Sequence, residues 1–204
     1  MARKYNWLLT LFIMLPLALV VGCGELGQVD QGRVVSFDRE KWTATIIRDK
    51  AMDSKNPDYS HLPPMTYALP KDPMEMGEEP KPGCRMKLDV KAKQITIFDP
   101  GTQNFKTIDF TLIDQKENVA KTDPLVYDAA EKKARKFPIV DKEKKTITIY
   151  SERQKILDTF TLPDEYFNLP ESTWDAGDEI RVYYHKEGVA QRCMNVTKTD
   201  IYKK

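Results

Sequence analysis

Three cysteines, two histidines and many carboxylates are the groups in this 204-residue chain with chemistry to offer. Cys23 stands out by its context. It closes the run Leu19-Val20-Val21-Gly22-Cys23, aliphatic residues followed by a small one and then the thiol. That order resembles the bacterial lipobox, in which the chain is cut before the cysteine and lipid is attached to it. Upstream stand Arg3 and Lys4 with no acid, then an apolar stretch over residues 8–21 broken only by Thr10 and Pro16. This is the layout of a signal peptide. The stretch is shorter than the roughly 20 apolar residues that span a bilayer. An uncleaved anchor, or a plain signal peptide with a chance cysteine, is the competing reading. The expectation is a signal peptide over residues 1–22, lipid on Cys23, and attachment to a membrane on the periplasmic side of a cell envelope. Each buried methylene adds about 0.8 kcal/mol, so two or three acyl chains hold firmly where one binds marginally.

The other reactive groups form no motif. Cys84 and Cys193 are far apart in sequence; in an oxidising envelope they have the option of pairing, which spacing alone does not establish. There is no C-x-x-C and no C-x-x-C-H. His61 and His185 fall in different halves, whereas zinc sites want several His or Cys ligands, so no metal and no cofactor is expected. His185 reads as a solvated strand end. A serine nucleophile needs a base and an orienting group, and neither a G-x-S-x-G elbow, a P-loop nor a G-x-G-x-x-G turn is present. Charge runs such as residues 141–145 fall on hairpin turns and read as solvated surface. The chain is read as non-catalytic, with an enzyme of unfamiliar chemistry left open.

Charge narrows the partners. Removing residues 1–22 takes Arg3 and Lys4 from 32 basic residues and nothing from 31 acidic ones, leaving 30 against 31 and a net charge of −1. Such a chain lacks the basic stripe that nucleic acid requires, so nucleic acid is excluded as a partner.

The elements that position these groups read as strand after strand. Val, Ile, Thr and aromatic residues alternate with charges, and turns recur at short intervals. Residues 32–38, the turn Arg39-Glu40-Lys41 and residues 43–47 form one hairpin; residues 137–141, the turn Lys142-Glu143-Lys144 and residues 146–150 form another. Asp38 matches Asp141, Thr66-Tyr67-Ala68-Leu69-Pro70 matches Thr159-Phe160-Thr161-Leu162-Pro163, and Gly83-Cys84-Arg85-Met86-Lys87-Leu88 matches Gly177-Asp178-Glu179-Ile180-Arg181-Val182. Ordered self-similarity signals a repeated unit. The expected fold is therefore all-β: two tandem five-stranded barrels of OB or SH3-like type from an internal duplication. The domains run 1–22 (signal), 23–31 (tether), 32–98 (first barrel), 99–136 (connector) and 137–204 (second barrel). The tether reaches under roughly 30 Å. The connector is read as a strand over 105–112, a loop over 115–124 and a short helix over 127–136. Alternation places Ile180, Val182 and Tyr184 on one face, and Cys84, Met86 and Leu88 together on the first core. The aromatic segment around Tyr166, Phe167 and Trp174 reads as core packing.

Beyond these patterns, the lipobox leading into Gly24-Glu25-Leu26-Gly27 and Gly32-Arg33-Val34-Val35 resembles a family of uncharacterised lipoproteins from sulfate-reducing bacteria. So do Asn56-Pro57-Asp58-Tyr59-Ser60-His61-Leu62-Pro63-Pro64, Trp174-Asp175-Ala176-Gly177-Asp178-Glu179 and Asn195-Val196-Thr197-Lys198-Thr199-Asp200. That family is a domain of unknown function. The resemblance covers essentially the whole chain and implies an anaerobic Gram-negative envelope, a setting that works against a disulfide. It supplies no activity, cofactor or catalytic residue.

The strongest candidate for function is the connection over residues 49–65, which the second copy shortens to 151–158. It holds Tyr59, His61, Pro63 and Pro64. Inserted loops on rigid scaffolds concentrate binding residues, and proline and tyrosine lose little entropy on docking. Packing of the loop onto its own barrel is the equal alternative. Two functions follow: a lipid-anchored module docking another envelope protein, or a glycan or small-ligand binder using an OB-type face, the latter by fold analogy alone.

Overall fold

Hairpin turns set the architecture, and one turn chemistry recurs. In a computed structural model that describes residues 26–53 and 56–199, Asp38 accepts from the backbone N–H groups of Glu40 and Lys41, and Trp42 takes a positive φ of 56°. Asp141 does the same for Glu143 and Lys144, with Lys145 at 54°. The arrangement repeats at Asp89 with Lys93, Asp99 with Gln103, Asp128 with Lys132, and Ser151 with Lys155. A side-chain oxygen organises each four-residue loop, and the residue four places on reverses the chain in the left-handed region.

These turns join β1 (Gln28–Asp38), β2 (Thr43–Arg48), β3 (His61–Ala68), β4 (Arg85–Asp89), β5 (Gln94–Asp99), β6 (Asn104–Asp109), β7 (Thr111–Lys116), β8 (Tyr127–Asp128), β9 (Lys133–Ala134), β10 (Ile139–Asp141), β11 (Thr146–Ser151), β12 (Ile156–Thr161), β13 (Glu179–Tyr184) and β14 (Arg192–Asn195). A single helical turn, α1 (Val196–Thr199), follows. The fold is all-β, and β1 begins at Gln28 where sequence reasoning placed a tether up to residue 31.

The repeated unit is a three-strand meander that occurs three times, as β1-β2-β3, β4-β5-β6 and β10-β11-β12. Asp38, Asp89 and Asp141 lead its first turn, spaced by 51 and 52 residues. Register agrees in detail. Val34 faces Ile46 and Ser36 faces Thr45, skipping Val35; Arg85 faces Ile97 and Lys87 faces Thr96, skipping Met86. Each unit carries one cross-strand threonine pair, Thr45–Thr66 at 2.8 Å, Thr96–Thr107 at 3.1 Å and Thr148–Thr159 at 3.0 Å.

The two expected barrels do not form. A five-stranded sheet runs β14-β13-β1-β2-β3, so strands from both ends of the chain share one sheet. It bends around Val34, Ala44, Ile46, Tyr67, Ile180, Val182 and Cys193. Its edges meet only through isolated bridges, Ala68 to Val189 and Met76 to Cys193, rather than through a ladder. A three-stranded sheet, β4-β5-β6, lies between this sheet and a four-stranded one ordered β10-β11-β12-β7. Val35, Ile47 and Phe98 seal the first boundary; Ile95, Ile97, Ile108, Ile147, Ile149 and Phe160 seal the second, with Phe167 and Trp174 closing it from two short 3-10 turns. The aromatic segment is core, as its composition suggests.

The connector also reads differently in three dimensions. The stretch 105–112 is two strands: Phe110 turns into the second core, and β6 and β7 join different sheets. Residues 127–136 form the β8-β9 hairpin instead of a helix, because Asp128 builds the common turn. The skipped Met86 reverses side-chain parity in β4, so Met86 faces the large sheet while Leu88 packs on the other core. At the junction of β1, β4 and β13, Gly83 N–H donates to Val34 C=O at 2.9 Å and Val34 N–H to Asp178 C=O at 2.9 Å. Gly177, with φ of +72°, lies directly against Gly83, and a Cβ on either would land on the other's backbone.

Candidate functional site

Polar side chains concentrate on both faces of the large sheet near the N-terminal half of β1. On the concave face, Asp30 accepts hydrogen bonds from Tyr67 Oη and, at 3.2 Å, from Tyr184 Oη. Arg48 Nη1 stands 3.7 Å from the same carboxylate, and its Nη2 lies 2.6 Å from His61 Nε2. Since guanidinium only donates, His61 Nε2 accepts and the imidazole carries its proton on Nδ1. Tyr184 Oη also reaches Gln28 at 3.1 Å. Burial, and then the bond to Asp30, raise the Tyr67 phenol above its ordinary range, and burial raises that of Tyr184.

On the opposite face, Gln31 is fully buried inside the sheet. Its amide donates to Glu179, and its carbonyl accepts from Arg181 Nε and Nη2 at 3.0 and 2.6 Å. Beside it the Arg33 guanidinium lies 4.5 Å from the centre of the Tyr59 ring. Arg33 Nη1 donates to Arg85 C=O at 3.2 Å, and Arg85 Nε donates to Trp174 C=O at 3.0 Å. Burial, with Arg33 nearby, pulls the Arg85 guanidinium down to about 10. Arg33 Nε, Arg48 Nε and Tyr59 Oη are buried without a partner.

The loop singled out in the sequence is thus tied to its own framework. It spans residues 49–60, because His61 already pairs with Arg48 in β3. Asp49, buried, accepts from the N–H groups of Ala51 at 3.0 Å, Asp53 at 2.9 Å and Asp58 at 2.6 Å. Tyr59 packs against Val35, Ile47 and Phe98 with Leu62 beside it, and burial pushes its phenol up to about 12. Of the four residues marked for docking, Tyr59 and His61 therefore face partners within the chain and point to opposite sides of the sheet. Pro63 is exposed and Pro64 partly so. Cys23 lies outside the described residues.

Asp30, Gln31 and Arg48 went unremarked in the sequence, where Asp49 served only as a loop boundary and Tyr67 and Tyr184 only as strand residues. The available signal was a carboxylate and an amide, Asp30 and Gln31, adjacent in what is now a central strand, where both must find partners on opposite faces. Cys84 and Cys193 are free and buried, the first near Val35 C=O and the second in the concave core. Burial pushes the Cys193 thiol up to about 12. Among the described residues no group of three or more His, Cys, Asp or Glu is arranged to hold a metal, and no helix is long and apolar enough to cross a membrane.

Fold and clusters define an all-β protein of several small antiparallel sheets, its polar residues knitted into the framework around one central strand. Residues 25–204 match the Domain of unknown function (DUF4881), and the chain belongs to that family. No curated protein and no solved structure matches it.

Proposed function

We propose that this chain is a lipid-anchored envelope protein, attached through Cys23, that works as a non-catalytic binding or scaffolding module docking another envelope protein. The observation that carries the reading is the ordered signal segment ending in Leu19-Val20-Val21-Gly22-Cys23, only five residues ahead of the first strand. Support comes from the polar clusters. Asp30 and Asp49 accept several hydrogen bonds from the chain itself, an arrangement suited to a rigid platform. The glycan reading rested on an OB-type barrel face, and with no closed barrel it loses that analogy.

Intact mass of the membrane-extracted protein tests the anchor: a chain beginning at Cys23 with added diacylglycerol mass is expected, and an unmodified chain starting elsewhere overturns it. Capture from detergent-solubilised membranes tests the docking role. A stoichiometric protein partner is expected, and retention on cell-wall glycan in its place overturns the reading.

A further inference from the structure

The end of the large sheet where β1 begins carries an unusual share of exposed apolar surface. Among the described residues, nine large hydrophobic side chains are exposed, and three of them, Leu26 (92%), Met52 (46%) and Val29 (40%), belong to this end. The placement follows from register. Val29 stands opposite Tyr183 and Gln28 opposite Tyr184, the last residue of β13, so the end of β13 lies beside the start of β1. Asp49 N–H donates to Gln31 C=O at 2.8 Å, which brings the segment reaching Met52 alongside the same end. The Tyr183 ring fills the space over Gly27 and meets His185, its hydroxyl 3.1 Å from His185 Nε2. Apolar side chains with a tyrosine, a histidine and the exposed Lys186 at their border suit the boundary between acyl chains and headgroups.

The chain leading to this end fixes what can cover it. Four residues lie between Cys23 and Gln28, which makes five steps along the chain. At no more than about 3.6 Å per residue the two lie within about 18 Å. A lipid on Cys23 therefore keeps this end of the sheet close to the membrane surface.

We infer that Leu26, Val29, Met52 and Tyr183 form a contact face for the leaflet that holds the Cys23 lipid, seating the large sheet end-on against the bilayer. The inference rests on the lipid-anchor reading above. With a mature net charge of −1, the contact is apolar and does not require anionic lipid.

Spin labels test it, helped by Cys84 and Cys193 being buried, which leaves an introduced thiol as the reactive one. Val29→Cys, Met52→Cys and, on the third meander, Ile139→Cys are labelled in the full lipidated protein and bound to phosphatidylcholine vesicles. Collision rates with oxygen, which partitions into lipid, and with a water-soluble nickel chelate are then measured. At Val29 and Met52 the oxygen-to-nickel ratio is expected to rise several-fold on vesicle binding, while Ile139 keeps its aqueous value. Protein that floats with vesicles yet shows aqueous ratios at all three sites overturns the contact face and leaves the anchor standing. Loss of access to both reagents at Val29 and Met52 assigns the face to a second protein copy and overturns it too. A chain that fails to float, with an unmodified N-terminus by mass, removes the anchor reading and the contact face together.

Discussion

Replacing Tyr59 by alanine separates a docking loop from a packed one. A fully buried aromatic cut to alanine costs about 3–5 kcal/mol. Tyr59 is partly exposed, so about 2–3 kcal/mol of that applies. The Arg33 guanidinium 4.5 Å from its ring adds about 0.5–1 kcal/mol. Against these, alanine removes a buried hydroxyl that has no partner, returning about 1 kcal/mol. The expected net loss is about 2 kcal/mol, a fall in Tm of about 4–8 °C for a chain of this size. Urea and thermal unfolding of the soluble mature chain measure it. Tyr59→Phe isolates the hydroxyl: it keeps the ring and is expected to gain about 1 kcal/mol. Alkaline unfolding adds a third reading. The folded phenol holds its proton to about 12 while the unfolded one loses it near 10, so the unfolded state binds fewer protons in that window and stability falls as pH rises through it. Tyr59→Phe should shallow that fall. A Tyr59→Ala loss within about 0.5 kcal/mol, the value for ordinary surface positions, refutes the packed assignment. A destabilising Tyr59→Phe refutes the orphan hydroxyl.

Three further outcomes are expected. Both Cys84 and Cys193 should resist a thiol-specific chromogenic reagent at pH 8 in the folded chain and react fully in denaturant, since burial raises both thiols; rapid native reaction would contradict their placement. Gly83→Ala should cost about 3 kcal/mol or more, because its Cβ meets backbone at Gly177 and Asp175, while Gly101→Ala, whose Cβ meets only the Asp99 carboxylate at 3.3 Å, should cost under about 1 kcal/mol in the same urea titration. Lys93→Gly should raise stability by about 0.5 kcal/mol, as glycine relieves a φ of 56° at a cost in unfolded-chain entropy, and a loss would mean the lysine side chain holds the turn.

Local structure was legible where pattern and chemistry are local. Alternation in Glu179-Ile180-Arg181-Val182-Tyr183-Tyr184 gave the faces of β13 correctly, and the Asp38 and Asp141 turns marked two real hairpins. Partners were not legible, because alternation names the face of a strand and not its neighbour; nothing in residues 28–33 announces residues 179–184. The middle meander was hidden for a related reason. Gly83 to Leu88 matched Gly177 to Val182 in sequence, so residues 85–98 passed for the end of the first copy and 105–112 for a linker. Ala129 and Ala130 favoured a helix by propensity, yet Asp128 ahead of them supplied the oxygen that closes a hairpin. Tyr59 left both readings open because a tyrosine in a proline-bounded loop looks the same whether its ring turns out or in; the deciding groups, Arg33 and Phe98, lie far away in sequence.

The central position of β1 has a mechanical consequence. Tension applied at residue 23 enters the fold along the axis of β1, which is clamped between β2 on one side and β13 on the other. Antiparallel hydrogen bonds run across the strands, so a pull along β1 loads the bonds of both ladders in parallel and in shear. Extracting the strand requires them to fail together, whereas peeling an edge strand breaks them one at a time. A chain pulled from a central first strand in this way resists unfolding more strongly than one pulled from an edge strand.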